Sequence, residues 1–126
     1  MKDQFIRKAK FIRAIDGDTI QLEVDLGFNI LTRQHFRIEG VNCPEIHSND
    51  TKERERAEQA RLFTNGLLSQ ALVISVQSSK PALGQEKYGR WLGQIVFTDA
   101  SGVEGRDLAR ALIDAKLGVE YHGGKR

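Results

Sequence analysis

The sequence predicts a small fold of the α+β class that is mainly β. Its clearest signal is the strict alternation of polar and apolar residues from Thr19 to Leu26, which is typical of a strand with one buried face. Four further segments have strand character, at residues 5–15, 30–39, 71–77 and 91–97, and two have the spacing of amphipathic helices. One helix follows the third strand and the other follows the fifth. This order predicts a partly open, five-stranded barrel of the oligonucleotide-binding (OB) type with two packed α-helices, although other small α+β folds share it.

The first two strands meet at Asp16-Gly17, where we expect a tight turn. Glycine adopts a positive φ there and aspartate supplies a short polar side chain. The alternation of the first strand slips once, which predicts a β-bulge. A second connection at residues 27–29 leads into the third strand, which places Phe36 and Ile38 on one face. The opposite face carries Arg33, His35 and Arg37.

The two helices are expected at residues 52–70 and 106–117. Asp50 has the position of an N-cap for the first helix, and Glu53 has the spacing of its reciprocal capping partner. The second helix is expected to stop at Gly118. The expected buried positions are Phe63 and Leu67 in the first helix, and Leu108, Leu112 and Ala115 in the second. Residues 78–90, which contain proline, glycines and several cations, are expected to form a basic loop.

The length of 126 residues fits one domain, to which we assign residues 1–126. No apolar run approaches the roughly 20 residues of a membrane-spanning helix, which excludes insertion by such a helix. The charged N-terminus has no apolar region after it, so it does not have the pattern of a secretory signal. We therefore expect a cytoplasmic monomer. A trimmed, secreted form stays open, because the single Cys43 is compatible with either compartment.

Residues 36–45 hold the first candidate chemistry. Arg37 leaves a strand and Glu45 leaves the irregular corner after it, so the two can converge if the corner folds back. An arginine, a carboxylate and a metal ion are what phosphodiester hydrolysis requires. Asp18 has the parity of the buried residues of its strand, where a carboxylate is costly unless a cation or a donor compensates it. The net charge of +2 allows a polyanionic partner without indicating one.

Each of these residues also has an ordinary structural interpretation. A lone Asp16-Gly17-Asp18 is more often a hairpin turn with solvated carboxylates. Arg37 and Arg90, taken singly, have the pattern of surface cations, although a guanidinium suits bidentate phosphate binding. Glu45 alone could be a capping or solvated carboxylate, and Cys43 without a histidine motif fits a buried thiol better than a nucleophile. Their joint occurrence favours a functional site.

Three segments occur together in an order and at a spacing that mark one family. They are Ile15-Asp16-Gly17-Asp18-Thr19-Ile20, then Phe36-Arg37 through Gly40-Val41-Asn42-Cys43-Pro44-Glu45, then Lys87-Tyr88-Gly89-Arg90. With these segments the chain resembles the staphylococcal nuclease (thermonuclease-like) family over almost its whole length. The likeness ends where longer secreted members add another helix, so the chain resembles a short version.

The resemblance implies an OB-type barrel and a nuclease that depends on one calcium ion (Ca²⁺) and acts on DNA and possibly RNA. It matches Asp18, Asn42 and Cys43 to the metal site, with Cys43 contributing its backbone carbonyl. It matches Asp16 to a position that contacts a metal-bound water. Asn42 stands where the family usually has a second aspartate. An amide oxygen can bind Ca²⁺ but brings no charge, so we expect weaker metal binding.

The resemblance also supplies the catalytic and nucleic-acid-binding positions. It matches Arg37, Glu45 and Arg90 to the catalytic residues, and Lys87, Tyr88 and Tyr121 to contacts with the nucleic acid. In the implied mechanism, Ca²⁺ polarises the phosphoryl oxygen and helps to hold the attacking water, whose proton Glu45 accepts or orients. The two arginines neutralise charge at the five-coordinate phosphorus, and the products carry 3′-phosphate ends.

Two other functions were weighed against the nuclease. A nucleic-acid-binding module of the same fold, with weak or no catalysis, is favoured by Asn42 and disfavoured by the presence of Asp18, Arg37, Glu45 and Arg90. A protein-interaction domain predicts an aromatic cage or an exposed apolar patch, and the sequence indicates neither.

Overall fold

The chain folds into a closed, five-stranded barrel with two helices, and the structure, a computed structural model, describes residues 4–78 and 90–122. The strands are β1 (Ile6–Asp16), β2 (Thr19–Asp25), β3 (Leu31–Ile38), β4 (Val41–Asn42), β5 (Val73–Ser78), β6 (Trp91–Thr98), β7 (Arg106–Asp107) and β8 (Val119–Glu120), and the helices are α1 (Thr51–Ser69) and α2 (Leu108–Asp114). The barrel strands follow the order β3-β2-β1-β5-β6, and a parallel pairing of β3 with β6 closes it. The predicted fold class, a mainly β α+β fold with an OB-type barrel and two helices, is confirmed.

The apolar face of β2 lies in the barrel interior, as its alternation predicts. Ile20 and Leu22 are fully buried and Val24 is nearly so. Leu26, predicted on the same face, lies beyond the end of β2 and is exposed. The connection that follows exposes Phe28 almost completely, at 96%. The tip of the β2–β3 hairpin therefore carries exposed apolar side chains that the sequence pattern did not predict.

The turn between β1 and β2 is made by Gly17 and Asp18, because Asp16 and Thr19 face each other across the ladder. The predicted bulge in β1 is confirmed by two shifts of register within the same ladder. The predicted reason for the glycine is wrong, since Gly17 is not among the glycines with a positive φ. A Cβ atom on Gly17 would lie 2.7 Å from Cβ of Ala60 in α1. Glycine is required here because α1 packs directly against the turn.

Replacing Gly17 with alanine is therefore expected to lower the free energy of unfolding by about 1–3 kcal/mol, the usual cost of overpacking. The matched control is Gly66→Ala inside α1, where an added Cβ meets no atom within 4 Å. Because alanine is the better helix former, that control should gain up to about 1 kcal/mol. Urea unfolding of both variants measures the difference. Equal stability of the Gly17 variant and the wild type would refute the packing argument.

Helix α1 begins where the sequence predicts. The side chain of Asp50 accepts a hydrogen bond from the backbone N–H of Lys52, which confirms the N-cap. The reciprocal role predicted for Glu53 is wrong. The hydroxyl of Ser48 donates to Glu53 and accepts from the backbone N–H of Asp50, so it stands between the two capping partners. Phe63 and Leu67 are partly buried against the core, beside the fully buried positions Ala57, Ala60, Thr64 and Leu68.

Helix α2 is shorter at both ends than predicted. Residues 106–107 are held in an extended conformation by pairing with β6, so Asp107 becomes the N-cap. The helix ends at Asp114, and Lys116 adopts a φ of +61°. Leu108 and Leu112 are buried as predicted, whereas Ala115 is exposed because it lies past the last turn.

Among the described residues, no helix has both the length and the apolar character needed to cross a bilayer.

Candidate active site

The centre of the candidate site is a buried ion pair at the start of β2. Asp18 is 1% exposed and Arg37 is 3% exposed, and Nη1 of Arg37 lies 3.3 Å from Oδ2 of Asp18. The register of the β2–β3 ladder sets this contact, because Thr19 lies opposite Arg37. The same Oδ2 atom accepts the backbone N–H of Cys43 at 2.8 Å. The expectation that Asp18 needs a compensating cation or donor is confirmed, since it has both.

The guanidinium of Arg37 also holds the corner that follows β3. Nη1 donates to the carbonyl oxygens of Ile38 and Val41, at 2.9 and 2.8 Å. Nη2 lies 3.3 Å from Oδ1 of Asn42, its hydrogen-bond acceptor. The chain reverses here at Gly40, whose φ of +90° favours glycine. The chain therefore folds back at this corner, and the folded corner buries the arginine.

The C-terminal end of the described chain covers this corner. Strand β8 pairs with β4, which places Val119 opposite Asn42. The N–H of Tyr121 donates to the carbonyl of Gly40 at 3.1 Å, and the ring centroid of Tyr121 lies 5.7 Å from Cζ of Arg37. Tyr121 is thus brought to the site, in a cation–π contact with the arginine.

Thr19 connects the buried pair to the second arginine, a role that was not predicted from the sequence. Its hydroxyl lies 3.4 Å from Oδ1 of Asp18, to which it donates. Nη1 of Arg90 donates to the same hydroxyl oxygen at 3.4 Å. Arg90 directly precedes β6, so the β3–β6 pairing that closes the barrel also brings the two arginines to one end of it. The available signal for Thr19 was its position directly after Asp18 in the hairpin motif.

Asp16 and Glu45 are two further carboxylates near Asp18. Oδ1 of Asp16 accepts the backbone N–H of Ile46 at 3.2 Å, which anchors the loop that carries Glu45. Burial raises the pKa of the Asp16 carboxyl, the Ile46 N–H and His47 oppose that rise, and the charges of Asp18 and Glu45 add to it. Three carboxylates therefore share one electrostatic environment. Glu45 itself is exposed, so its carboxylate reaches solvent.

Two buried side chains fix the turn on which Asp18 sits. Oγ1 of Thr64 in α1 donates to the carbonyl of Gly17 at 2.8 Å. Cys43 is buried against the same turn, with its sulfur 3.1 Å from the position of an added Cβ on Gly17. The interpretation of Cys43 as a buried thiol is confirmed. Thr64 is a further positioning residue, and its helical spacing from Ala57, Ala60 and Leu68 is a sequence signal for its burial.

The residues matched to the metal site offer oxygen donors, which suit a hard cation such as Ca²⁺. Asp18 supplies a carboxylate and Asn42 an amide oxygen, and that amide oxygen already accepts from Arg37. Within residues 4–78 and 90–122, no group of three or more His, Cys, Asp or Glu side chains is arranged to hold a metal ion. The oxygen donors of the matched residues fit calcium, but only one of these donors, the carboxylate of Asp18, is negatively charged. Lys87 and Tyr88 lie outside the described residues.

Fold and site together define a class of protein: an OB-type barrel whose first hairpin and third strand hold a buried aspartate–arginine pair beside a second arginine and an exposed glutamate. The family model described as "Staphylococcal nuclease homologue" matches residues 35–122, which is more than half of the chain. The thermonuclease of Staphylococcus hyicus is 33% identical over 107 residues, which cover 81% of this chain and 57% of that protein.

The chain belongs to the staphylococcal nuclease homologue family. It spans little more than half the length of the curated relative that it matches. The family match begins at residue 35, so the corner, α1 and Arg90 lie inside it and the Asp18 hairpin lies before it.

Proposed function

We propose that this chain is a Ca²⁺-dependent nuclease that hydrolyses phosphodiester bonds in DNA, with RNA as a second substrate, and leaves 3′-phosphate ends. The observation that carries the proposal is the buried Asp18–Arg37 pair joined through Thr19 to Arg90. Apolar residues of similar volume are often as stabilising as a buried ion pair, so stability alone does not account for it. Family membership and a relative named thermonuclease support the same reaction class.

Each polar side chain has a defined task in this reaction. Arg90 is part-buried next to Thr19, where its planar guanidinium is suited to binding phosphate oxygens in a bidentate manner. Arg37, deeper in the site, adds positive charge where negative charge develops at phosphorus. Glu45 is exposed on its anchored loop and orients the attacking water. In that position the carboxylate accepts or orients the proton of the attacking water.

Asp18, the amide oxygen of Asn42 and the backbone carbonyl of Cys43 are the groups that would hold calcium. When bound, calcium supplies Lewis-acid polarisation of the phosphoryl oxygen and charge stabilisation. Asp16 keeps the loop of Glu45 next to Asp18 through its bond to the Ile46 N–H.

Digestion assays test the proposal directly. Purified wild-type protein is incubated with single-stranded DNA, double-stranded DNA and RNA over a broad range of Ca²⁺ concentration and pH. Cleavage is expected with Ca²⁺, should stop on addition of a chelator and should resume when Ca²⁺ is restored. An absence of cleavage under all these conditions would sink the nuclease proposal.

Replacing Asn42 with aspartate is expected to tighten Ca²⁺ binding by about tenfold or more, since affinity rises with the number of charged ligands. The introduced carboxylate also takes the position that now accepts from Arg37. Calorimetric titration with Ca²⁺ measures this without any cleavage assay, and the Ca²⁺ concentration needed for cleavage should fall in parallel.

The matched control for that substitution is Asn29→Asp in the β2–β3 hairpin. It adds the same charge in a turn whose φ of +63° aspartate tolerates. Unchanged Ca²⁺ affinity in the Asn42 variant, or an equal gain in the control, would remove Asn42 from the metal site.

The second candidate is a nucleic-acid-binding module of the same fold with weak or no catalysis. The bond from Arg37 to Asn42 favours it, because this arginine occupies an oxygen that calcium needs. This candidate predicts oligonucleotide binding in chelator without cleavage in Ca²⁺, so the digestion and binding assays together separate the two.

A further inference from the structure

A cationic face lies on the outside of the barrel and begins at the candidate site. We define it by four exposed side chains: Lys8, Lys10 and Arg13 of β1, and Arg33 of β3. Directly paired residues of an antiparallel ladder project to the same side of the sheet. One row across the sheet joins Lys10, Glu23 and Arg33, and the next joins Arg13, Gln21 and His35. The third row joins Asp16, Thr19 and Arg37 of the site itself.

The charges of this face are unevenly balanced. Its four cations stand against three carboxylates, Glu23 and Asp25 of β2 and Asp16 at the end of β1. Arg33 already pairs with Glu23 at 3.2 Å. The other neighbour of β1 is β5, which has no charged residue, and Ser75 lies opposite Lys8. The β1 cations are therefore not neutralised from that side. Arg90 adds a further positive charge at the end where the face meets the site.

The face is also grooved and partly apolar. A groove of about 670 Å³ runs beside β1, with Lys8, Lys10 and Ile12 among its lining residues. Exposed apolar side chains border the same cations, namely Ile12, Leu31, Leu72 and Val73. A duplex presents mainly phosphates to such a surface, because its bases are stacked inside. A single strand presents phosphates and bases together, which matches alternating cationic and apolar contacts.

The dimensions fit several nucleotides. From Thr19 to Asp25 the strand rises by about 3.4 Å per residue, so the face extends about 20 Å from the site. Side chains two residues apart on one face, such as Lys8 and Lys10, are about 7 Å apart along the strand. That spacing is close to the separation of neighbouring phosphates in an extended single strand.

We propose that this cationic face binds the backbone of a single-stranded polynucleotide and continues the path of the strand that enters the site. The proposal rests on the proposed function for its location and names the substrate class, single-stranded nucleic acid longer than a few nucleotides. Recognition through phosphates and general apolar contacts makes the face tolerant of base sequence.

The test measures binding in chelator, so that no substrate is cut. Fluorescently labelled oligothymidylates of 3 and 16 nucleotides are titrated with wild type, with the triple variant Lys8→Ala, Lys10→Ala, Arg13→Ala, and with a control triple variant. The control, Lys52→Ala, Arg61→Ala, Arg110→Ala, removes the same charge from the two helices. Urea unfolding confirms that all three proteins are folded.

For the 16-mer, the β1 variant should lose about tenfold or more in affinity at low salt. The plot of the logarithm of the association constant against the logarithm of the salt concentration should become less steep. Its slope should decrease in magnitude by about 2, at about 0.7 per lost phosphate contact. The 3-mer should bind all three proteins equally, and the control should bind the 16-mer like the wild type. Equal loss in both triple variants, or no loss in the β1 variant, overturns the proposal. So does a loss of binding to phosphatidylserine vesicles with no loss for the 16-mer, which would identify a lipid surface instead.

The outcome is separable from that of the proposed function. A wild type that binds the 16-mer with this salt dependence and never cleaves it supports the face and defeats the nuclease. A β1 variant that binds and cleaves the 16-mer like the wild type supports the nuclease and defeats the proposal for the cationic face.

Discussion

Replacing Arg37 with alanine is expected to lower the free energy of unfolding by about 3–5 kcal/mol, the cost of breaking a buried ion pair by removing one partner. The truncation removes the cation that lies 3.3 Å from the carboxylate of Asp18, which is 1% exposed. It also removes the donors to the carbonyls of Ile38 and Val41. Urea unfolding followed by circular dichroism measures the loss.

The matched control lies on the same strand and the same face. Arg33 pairs with Glu23 at 3.2 Å, but its side chain is 68% exposed. Arg33→Ala should therefore cost no more than about 1 kcal/mol, as surface ion pairs do. A small loss for Arg37→Ala, comparable with that for Arg33→Ala, would contradict the buried pair at the centre of the site. Combining Arg37→Ala with Asp18→Asn should recover part of the loss, because no charge then stays buried alone.

Replacing Glu45 with glutamine is expected to reduce the rate of DNA cleavage by about 10²–10⁴-fold, the usual contribution of a positioned acid–base group. The side chain is exposed, so the free energy of unfolding should change by no more than about 0.5 kcal/mol. Oligonucleotide binding in chelator should be retained, because an amide of the same shape replaces the carboxylate. Initial cleavage rates at saturating Ca²⁺ and substrate measure the effect.

Glu55→Gln serves as the control for this substitution. Glu55 is an exposed glutamate of α1, so its neutralisation removes the same charge without altering the loop after β4. Its cleavage rate should match that of the wild type. A Glu45→Gln protein that cuts at the wild-type rate removes Glu45 from the mechanism. An equal loss in both variants would point to a general effect of charge.

Local patterns were sufficient to predict much of the fold. The alternation in β2 predicted a buried face, and Ile20 and Leu22 are fully buried. The Asp50 cap fixed the start of α1 to within one residue. The β3–β6 pairing that closes the barrel was not predictable in the same way, because its partners lie more than 50 residues apart. The predicted start of α2 was wrong for a similar reason, because pairing with β6 holds residues 106–107 in an extended conformation.

For the site, too, the sequence identified the residues but not the way they are packed. The motifs identified Asp18, Arg37 and Arg90, and the structure brings all three together. Strand parity predicted a side chain of Arg37 opposite the core, but not its burial. That burial comes from the folded corner after β3, which β8 covers by pairing with β4. This two-residue pairing has no sequence period of its own. The reason for Gly17 was not predictable from the sequence either, because its close contact with Ala60 depends on where α1 packs.

The most direct test of the proposed reaction maps the ends produced from a single-stranded DNA oligonucleotide. Wild type and Arg90→Ala are each incubated with the oligonucleotide in Ca²⁺ and in chelator. Wild-type products should appear only with Ca²⁺ and carry 3′-phosphates, which a polymerase extends only after dephosphorylation. The Arg90 variant should form them at least about 10²-fold more slowly, the scale on which loss of one charge-stabilising donor acts. Wild-type protein that yields no such products, or an Arg90 variant that yields them at the wild-type rate, would contradict the proposed nuclease mechanism.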